Sequence, residues 1–291
     1  MKRTFLKFKT VAVVLITICV LLNSCKKEVI YNPEQRIRKI YNNASKDLWQ
    51  EWNWKDNRLA SILYYNNYGF PCIEFYHYKN DKLVKVEDRN GYYQISYSNS
   101  RYKKIEYFNN EERILGTWDF SYRNNKVYQI NFKYSDSYLI DKVKEGGFLS
   151  SLIAKEFIPV FESAAKGKTE KFVTFTYKYN GNNIKEQKAE FADMEDYSTI
   201  VYKSYDTKQN PFYRRIDLHT DLSSYPELFH LIELSSKNNP LEVECYHNES
   251  LIITLNYSYI YDKMNFPIEV KGSFVIDQMW HGTFETYYEY E

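Results

Sequence analysis

The chain is short of the residues that most functional classes need. It has four cysteines in 291 residues, at positions 19, 25, 72 and 245, too few for a disulfide framework even in an oxidising compartment. Its five histidines, His77, His219, His230, His247 and His281, are scattered. None stands in an H-E-x-x-H motif or beside a cysteine pair, so a zinc site has no support. Asp193, Glu195 and Asp196 are the densest carboxylates, but they lack the alternating spacing of a calcium loop and read as a solvated turn. There is no G-x-S-x-G elbow and no phosphate-cradling glycine loop. Nothing in the sequence marks a catalytic residue, a metal ligand or a cofactor, and a non-catalytic protein is expected. Excess basic charge is missing too: the formal net charge is +1, which excludes the electrostatic footprint of a nucleic-acid binder. Glycine is scarce at nine, against 30 Tyr, 18 Phe and 5 Trp. Aromatic side chains suit pleated, half-buried surfaces, so this balance predicts β structure and argues against disorder.

The amino terminus carries the clearest motif. Lys2, Arg3, Lys7 and Lys9 precede an apolar run from Val11 to Leu22, which is short for a membrane span and has the layout of a secretory signal. The run ends Leu21-Leu22-Asn23-Ser24-Cys25. This stretch resembles the lipobox of bacterial lipoproteins, in which the cysteine thiol is acylated before cleavage; an ordinary secretory signal with a coincident cysteine is the alternative. The resemblance implies a signal peptide over 1–24, a lipid (palmitate-type) anchor on Cys25, and attachment to the outer membrane on its periplasmic or surface face. Removing four basic residues with the signal turns the formal charge from +1 to −3. Residues 25–48, polar and rich in Asn and Lys with a weak helical signal at 33–41, read as a tether. The remainder, 49–291, is long enough for a sizeable core. Cys72 and Cys245 sit in strand-like contexts and read as two free thiols rather than a bridge.

An internal repeat organises the remainder. Aligning Trp54, Tyr78, Tyr97 and Tyr122 places Trp52, Tyr76, Ile95 and Phe120 two residues earlier. Asp56, Asn80, Asn99 and Asn124 follow two residues later, and a base stands at plus four in every copy: Arg58, Lys82, Arg101 and Lys126. Leu59, Leu83, Tyr102 and Val127 come at plus five, and Ile62, Val86, Ile105 and Ile130 at plus eight. Each copy reads as a β-hairpin: aromatics at i and i+2 share a strand face, Asn or Asp turns the chain, and an apolar strand returns. The three-residue step between plus five and plus eight puts those two apolar side chains on opposite faces unless a bulge intervenes. The recurrent base is expected to lie over neighbouring rings. The four aligned rings are expected on one buried face, stacked hairpin on hairpin.

Phe175, Tyr177 and Tyr179 followed by Asn180-Gly181-Asn182-Asn183 extend the pattern. Tyr246 with Leu251 continues it, as do Tyr257, Tyr259 and Tyr261 and the alternating end Phe284 to Tyr290. Two segments break the rhythm: Phe148 to Ala165, with apolar residues at helical spacing, and Ser223 through Leu234, with a cap followed by a short helical pattern.

These hairpins resemble the YD-repeat-like lipoproteins of Bacteroidetes, including the family of unknown function DUF4595. Tyr205-Asp206-Thr207-Lys208-Gln209-Asn210-Pro211-Phe212 and Ser236-Lys237-Asn238-Asn239-Pro240 are similar to elements such proteins carry between hairpins. The likeness covers about residues 49 to 270, implies an exported β-rich lipoprotein and brings no catalytic residues. The fold expected is mainly β, an antiparallel meander of aromatic-rich hairpins in a large curved sheet, with one or two short helices inserted, the main one at 148–165. Two functions fit it, with an enzyme as a third reading, since the paired carboxylates of a glycosidase are paired in space and could lie anywhere among the 38 acids. Exposed aromatic rows would suit a glycan or protein partner, whereas a helix laid on a concave sheet could enclose an apolar cavity for a hydrophobic ligand.

Overall fold

A computed structural model describes residues 31, 33–65, 72–135, 170–192, 197–213, 215–217, 233–234, 236–276 and 279–291. Each hairpin supplies two strands: β1 (Ile37–Asn42) and β2 (Asp47–Lys55), then β3 (Arg58–Tyr64) and β4 (Cys72–Lys79). β5 (Lys82–Asp88), β6 (Gly91–Ser98), β7 (Arg101–Asn109), β8 (Ile114–Arg123) and β9 (Lys126–Ser135) follow. After them come β10 (Glu170–Asn180), β11 (Asn183–Phe191), β12 (Tyr197–Gln209), β13 (Ile216–Asp217) and β14 (Glu233–Leu234). β15 (Asn238–His247), β16 (Ser250–Tyr261), β17 (Pro267–Ile276) and β18 (Trp280–Tyr290) end the chain.

Sixteen of these strands form one antiparallel sheet that closes on itself, because β1 pairs with both β2 and β18. The expectation of a large curved sheet is therefore corrected: the sheet is a closed barrel, which removes every free edge. No helix occurs among the described residues. The helical pattern at 148–165 lies outside them. The one read as ending at Leu234 is corrected at its end, where Glu233–Leu234 pairs with Ile216–Asp217 as a two-stranded ribbon. β1 also falls inside the span read as tether and weak helix. Pairing with β18 across the whole chain overrides the local preference there, so chain outside the barrel ends near Arg36.

The hairpin repeat explains the barrel's regularity. Tight turns at Asp56-Asn57, Asn80-Asp81, Asn99-Ser100 and Asn124-Asn125 all have positive φ at both central residues. That is the two-residue turn whose twist matches the flanking strands, and Asn and Asp tolerate it. Beside each turn the register slips by one residue. Trp54 faces Leu59 whereas Asn53 faces Ser61, and the same slip recurs at Tyr78, Tyr97, Tyr122 and Tyr179. The extra residues (Ala60, Val84, Lys103, Tyr128 and Lys185) are bulges. They bring Leu59 with Ile62, and Val127 with Ile130, onto one face, where all four are buried. At Tyr246 the same turn occurs at the opposite end of the barrel with shifted phase. Leu251 is exposed there, and Cys245 and Ile253 take the buried positions.

Strands alternate between a buried inner face and a polar outer one. Inside, rings from neighbouring strands stack, as Trp118 does on Phe132 at 4.5 Å, and apolar side chains gather in three clusters around the lumen. Outside lie charge ladders: Lys85–Glu87 at 2.8 Å, Lys188–Glu190 at 2.8 Å, and Lys271 with Glu269 and Glu285 at 3.0 and 3.6 Å.

Candidate functional site

Because consecutive strands are antiparallel, the connections fall at two ends. One end gathers the tight turns, the Asn210–Lys237 connection, the β16–β17 turn and both the first and last described residues. There the amide N–H of Glu291 donates to the Arg36 carbonyl at 3.0 Å. We call this the turn end and the opposite one the loop end.

At the turn end the repeat's conserved-looking chemistry becomes a geometric chain. Each base reaches the next hairpin: Arg58 lies 5.6 Å from the Tyr78 ring centroid, Lys82 5.4 Å from Tyr97, Arg101 5.4 Å from Tyr122 and Lys126 5.2 Å from Tyr179. Arg36 starts the series over Trp54 at 5.7 Å. Arg36, Arg58, Lys82 and Arg101 donate to the second turn residue of the hairpin they cover, as Arg36 does to Asn57 at 2.6 Å and Arg101 to Asn125 at 2.5 Å, while Lys126 donates to the carbonyl of the first, Gly181. The rings answer in the other direction. Trp54 Nε1 donates to the Ile37 carbonyl at 2.7 Å, and the Tyr97 hydroxyl to the Leu83 carbonyl at 2.7 Å. The four aligned rings thus share the lumen face as expected, half-buried at its rim, while the deepest places belong to residues such as Trp52 and Phe120. Desolvation raises the tyrosine hydroxyls here, Tyr78 to about 12 and Tyr102 to about 12.

The segment Pro211–Arg215 crosses the lumen at this end. Phe212 packs against Trp52 at 6.1 Å and Tyr288 at 6.0 Å, on strands either side of the β1–β18 seam. Arg215 is buried with its guanidinium 4.6 Å from the Trp52 ring centroid, and it donates to the Tyr76 hydroxyl at 3.3 Å. That hydroxyl donates in turn to buried Glu74 at 2.8 Å, which also accepts from Tyr64 at 3.0 Å. The Tyr-Asp and Asn-Asn-Pro elements hold this plug. Asp206 accepts from the Asn239 backbone and side chain, both at 3.0 Å, from the Lys208 N–H at 2.9 Å, and from the Tyr261 hydroxyl. Tyr205 donates to the Ile184 carbonyl at 2.6 Å, and Tyr31 to that of Pro211 at 2.9 Å. These motif residues were legible as a pattern; their role as a clamp on a lumen-crossing segment was not, because it depends on strands far apart in sequence.

Cys25 lies outside the described residues, as do His219, His230, Asp193, Glu195 and Asp196. His77 faces outward beside Glu87 at 3.4 Å, and His247 and His281 are exposed. Cys72 on β4 and Cys245 on β15 form no disulfide, and burial pushes the Cys245 thiol up to about 12. Among the described residues no group of His, Cys, Asp or Glu is arranged to hold a metal ion, and no helix is long and apolar enough to cross a membrane.

Exposed aromatic rows, which would have suited a glycan or protein partner, are not what the rings form: most lie inside. Exposed large apolar side chains lie mostly at the two ends, Ile114, Leu251, Met279 and Trp280 at the loop end and Ile260, Met264 and Ile268 at the turn end, with Phe75 alone among them in mid-strand, on the outer face of β4. Sequence reading missed Trp280, 71% exposed, and Met279, 74% exposed. Their only signal was a break in the strand alternation.

The fold and its plug define a closed sixteen-stranded antiparallel barrel with an apolar inner face and a crossing segment. Neither a family model nor a curated protein matches the chain. Solved structures do. A porin-like protein from Bacteroides vulgatus is similar at a TM-score of 0.52 and 12% identity, over 89% of this chain and 99% of that one. A porin-like protein from Bacteroides uniformis is similar at 0.54 and 13%, over 88% and 98%. The likeness is one of fold.

Proposed function

We propose that this chain is a non-catalytic outer-membrane lipoprotein whose barrel stands in water rather than in the bilayer, anchored through Cys25 and offering its loop end to a glycan or protein partner. The observation that carries the reading is the direction of the alternation. A membrane-spanning barrel is apolar outside and polar inside; this one is the reverse. Lys85, Lys104, Lys188 and Lys271 point outward from the middle of their strands, paired with Glu87, Glu106, Glu190 and Glu269. Each lysine at a bilayer midplane would cost about 2–4 kcal/mol. β1, with six residues, and β3 and β5, with seven each, are shorter than the roughly 9–11 that a crossing strand needs. Phe212 and Arg215 fill part of the lumen at the turn end, which argues against an open pore. A protein with this outer face needs another means of staying at a membrane, and acylation of Cys25 supplies it.

The partner reading rests on Leu251, Met279 and Trp280, exposed apolar side chains grouped near the starts of β16 and β18. The inward rings weaken the alternative of a hydrophobic-ligand carrier, because they pack on one another and on the plug.

Metabolic labelling with a fatty acid should mark the wild type and not Cys25→Ala, and the wild type should give no conductance steps in a planar bilayer. Steady channel activity, or membrane extraction of Cys25→Ala that needs detergent, would overturn the reading. A photo-crosslinking residue in place of Trp280 in whole cells should capture an adduct that the same residue at His77 does not.

A further inference from the structure

We infer that the turn end is a membrane-surface docking face: Ile260, Met264 and Ile268 enter the headgroup region of the anchoring leaflet, and the basic turns elsewhere on the same rim meet anionic lipid phosphates. The inference rests on the Cys25 anchor proposed above and adds an orientation and a lipid-contacting patch to it.

Three independent features meet at this end. The first is where the chain leaves the barrel. Tyr31 is bonded to Pro211 and Arg36 to Glu291, so the six residues from Cys25 to Tyr31 start from the turn end. Fully extended, they reach about 20 Å, less than the length of the longer strands, so the loop end cannot be the end resting on the anchoring leaflet.

The second is the apolar patch. Ile260 is 53% exposed, Met264 47% and Ile268 38%, on the last residues of β16, the turn after it and the start of β17. Among the described residues of the turn end, these are the exposed large apolar side chains. Gln35 bonds the Met264 sulfur at 3.0 Å, so the segment leading back to Cys25 runs directly beside the patch.

The third is charge. The four tight turns at 55–58, 79–82, 98–101 and 123–126 carry seven bases against two acids, Asp56 and Asp81. The described loop-end turns at 43–47, 88–91, 109–113 and 247–250 carry three bases against five acids. Among these described turns, the bases gather on the anchor side. Lys263 sits exposed within the patch, and Lys208 beside it donates to Asn265 at 2.6 Å. Asp262 lies within the patch as well, and the basic tight turns stand farther round the same rim, on β2 to β9. An apolar patch on an end that carries bases suits an anionic interface, where each basic residue near the surface contributes about 1 kcal/mol. Three apolar side chains suffice for a bilayer contact because the acyl anchor already holds the protein at the membrane.

The test uses the acylated full chain in vesicles of phosphatidylethanolamine with about a quarter phosphatidylglycerol. Flotation with the vesicles reports the anchor, and amide hydrogen exchange reports the face. Exchange at 260–268 should slow about fivefold relative to detergent micelles, with no change at 247–251. The slowing should shrink in neutral phosphatidylcholine vesicles and in Met264→Asp/Lys263→Glu, whose sites are exposed. Flotation with unchanged exchange at 260–268, or slowing at 247–251 instead, would overturn the docking face while leaving the anchor standing. Failure to float would overturn the anchor, and with it this inference.

Discussion

At the scale of single residues, the barrel depends on rings that face inward and on the small residues that make room for them. Trp118 is wholly buried and stacks on Phe132. Trp118→Ala should therefore cost about 3–5 kcal/mol in chemical denaturation, with the slope of the transition unchanged. Tyr122, at the half-buried rim under Arg101, should cost distinctly less on replacement by Ala. Equal losses would mean that the rim rings are as central as the deep ones. Two glycines matter for a different reason. Gly272 faces Phe284 across β17 and β18, and Phe274 faces Gly282, so each ring lies flat over a bare backbone in the manner of aromatic rescue. A Cβ on Gly272 would fall 2.0 Å from the Phe284 ring. Gly272→Ala should destabilise by about 1–3 kcal/mol through overpacking, and Gly272→Ala/Phe284→Leu should recover part of the loss.

At the scale of elements, the hairpins were legible in the sequence because everything that makes them is local. Asn or Asp at the turn, a ring two residues before it and a base two residues after the first turn residue are all within one hairpin's reach. Even the bulge was signalled, since Leu59 and Ile62 cannot share a face at a spacing of three without one. What was not legible was closure. That β1 pairs with β18 depends on residues some 250 apart in sequence, such as Ile40 and Tyr288, and on a twist accumulated over every intervening strand. Nothing in Arg36–Asn42 alone distinguishes a barrel strand from a polar tether. The plug failed to show for the same reason, because Phe212 meets Trp52 only once the ring is closed. The turns make a further prediction. Asn124 and Asn125 both hold positive φ, so Asn124→Ala and Asn125→Ala should each destabilise by about 1–2 kcal/mol, whereas Asn125→Gly should be neutral or stabilising. Thermal melts of the three variants, ordered otherwise, would count against a left-handed two-residue turn.

At the scale of the whole molecule, closure and inward tyrosines together set how the barrel responds to alkali. Since the N- and C-terminal hairpins belong to one ring, melting should occur in a single transition followed alike by aromatic and backbone signals. The lumen tyrosines then give that transition a pH dependence of fixed sign. Burial raises Tyr78 from 10.0 to about 12 and Tyr102 likewise, and it raises Tyr97, Tyr122, Tyr205 and Tyr259 as well. Below pH 10 these hydroxyls are protonated in both the folded and unfolded chain, so their contribution is complete and constant. Between 10 and 12 the unfolded chain releases protons that the folded chain keeps, and stability falls as pH rises. Spectrophotometric titration at 295 nm should accordingly show a class of tyrosines ionising only near or above pH 12, together with unfolding, while outward ones ionise earlier. The midpoint of denaturation should hold steady from neutral pH to about 10 and then drop steeply. A smooth titration of all tyrosines near pH 10 with no loss of stability would mean that water reaches the rings, and that the inner face is open rather than packed.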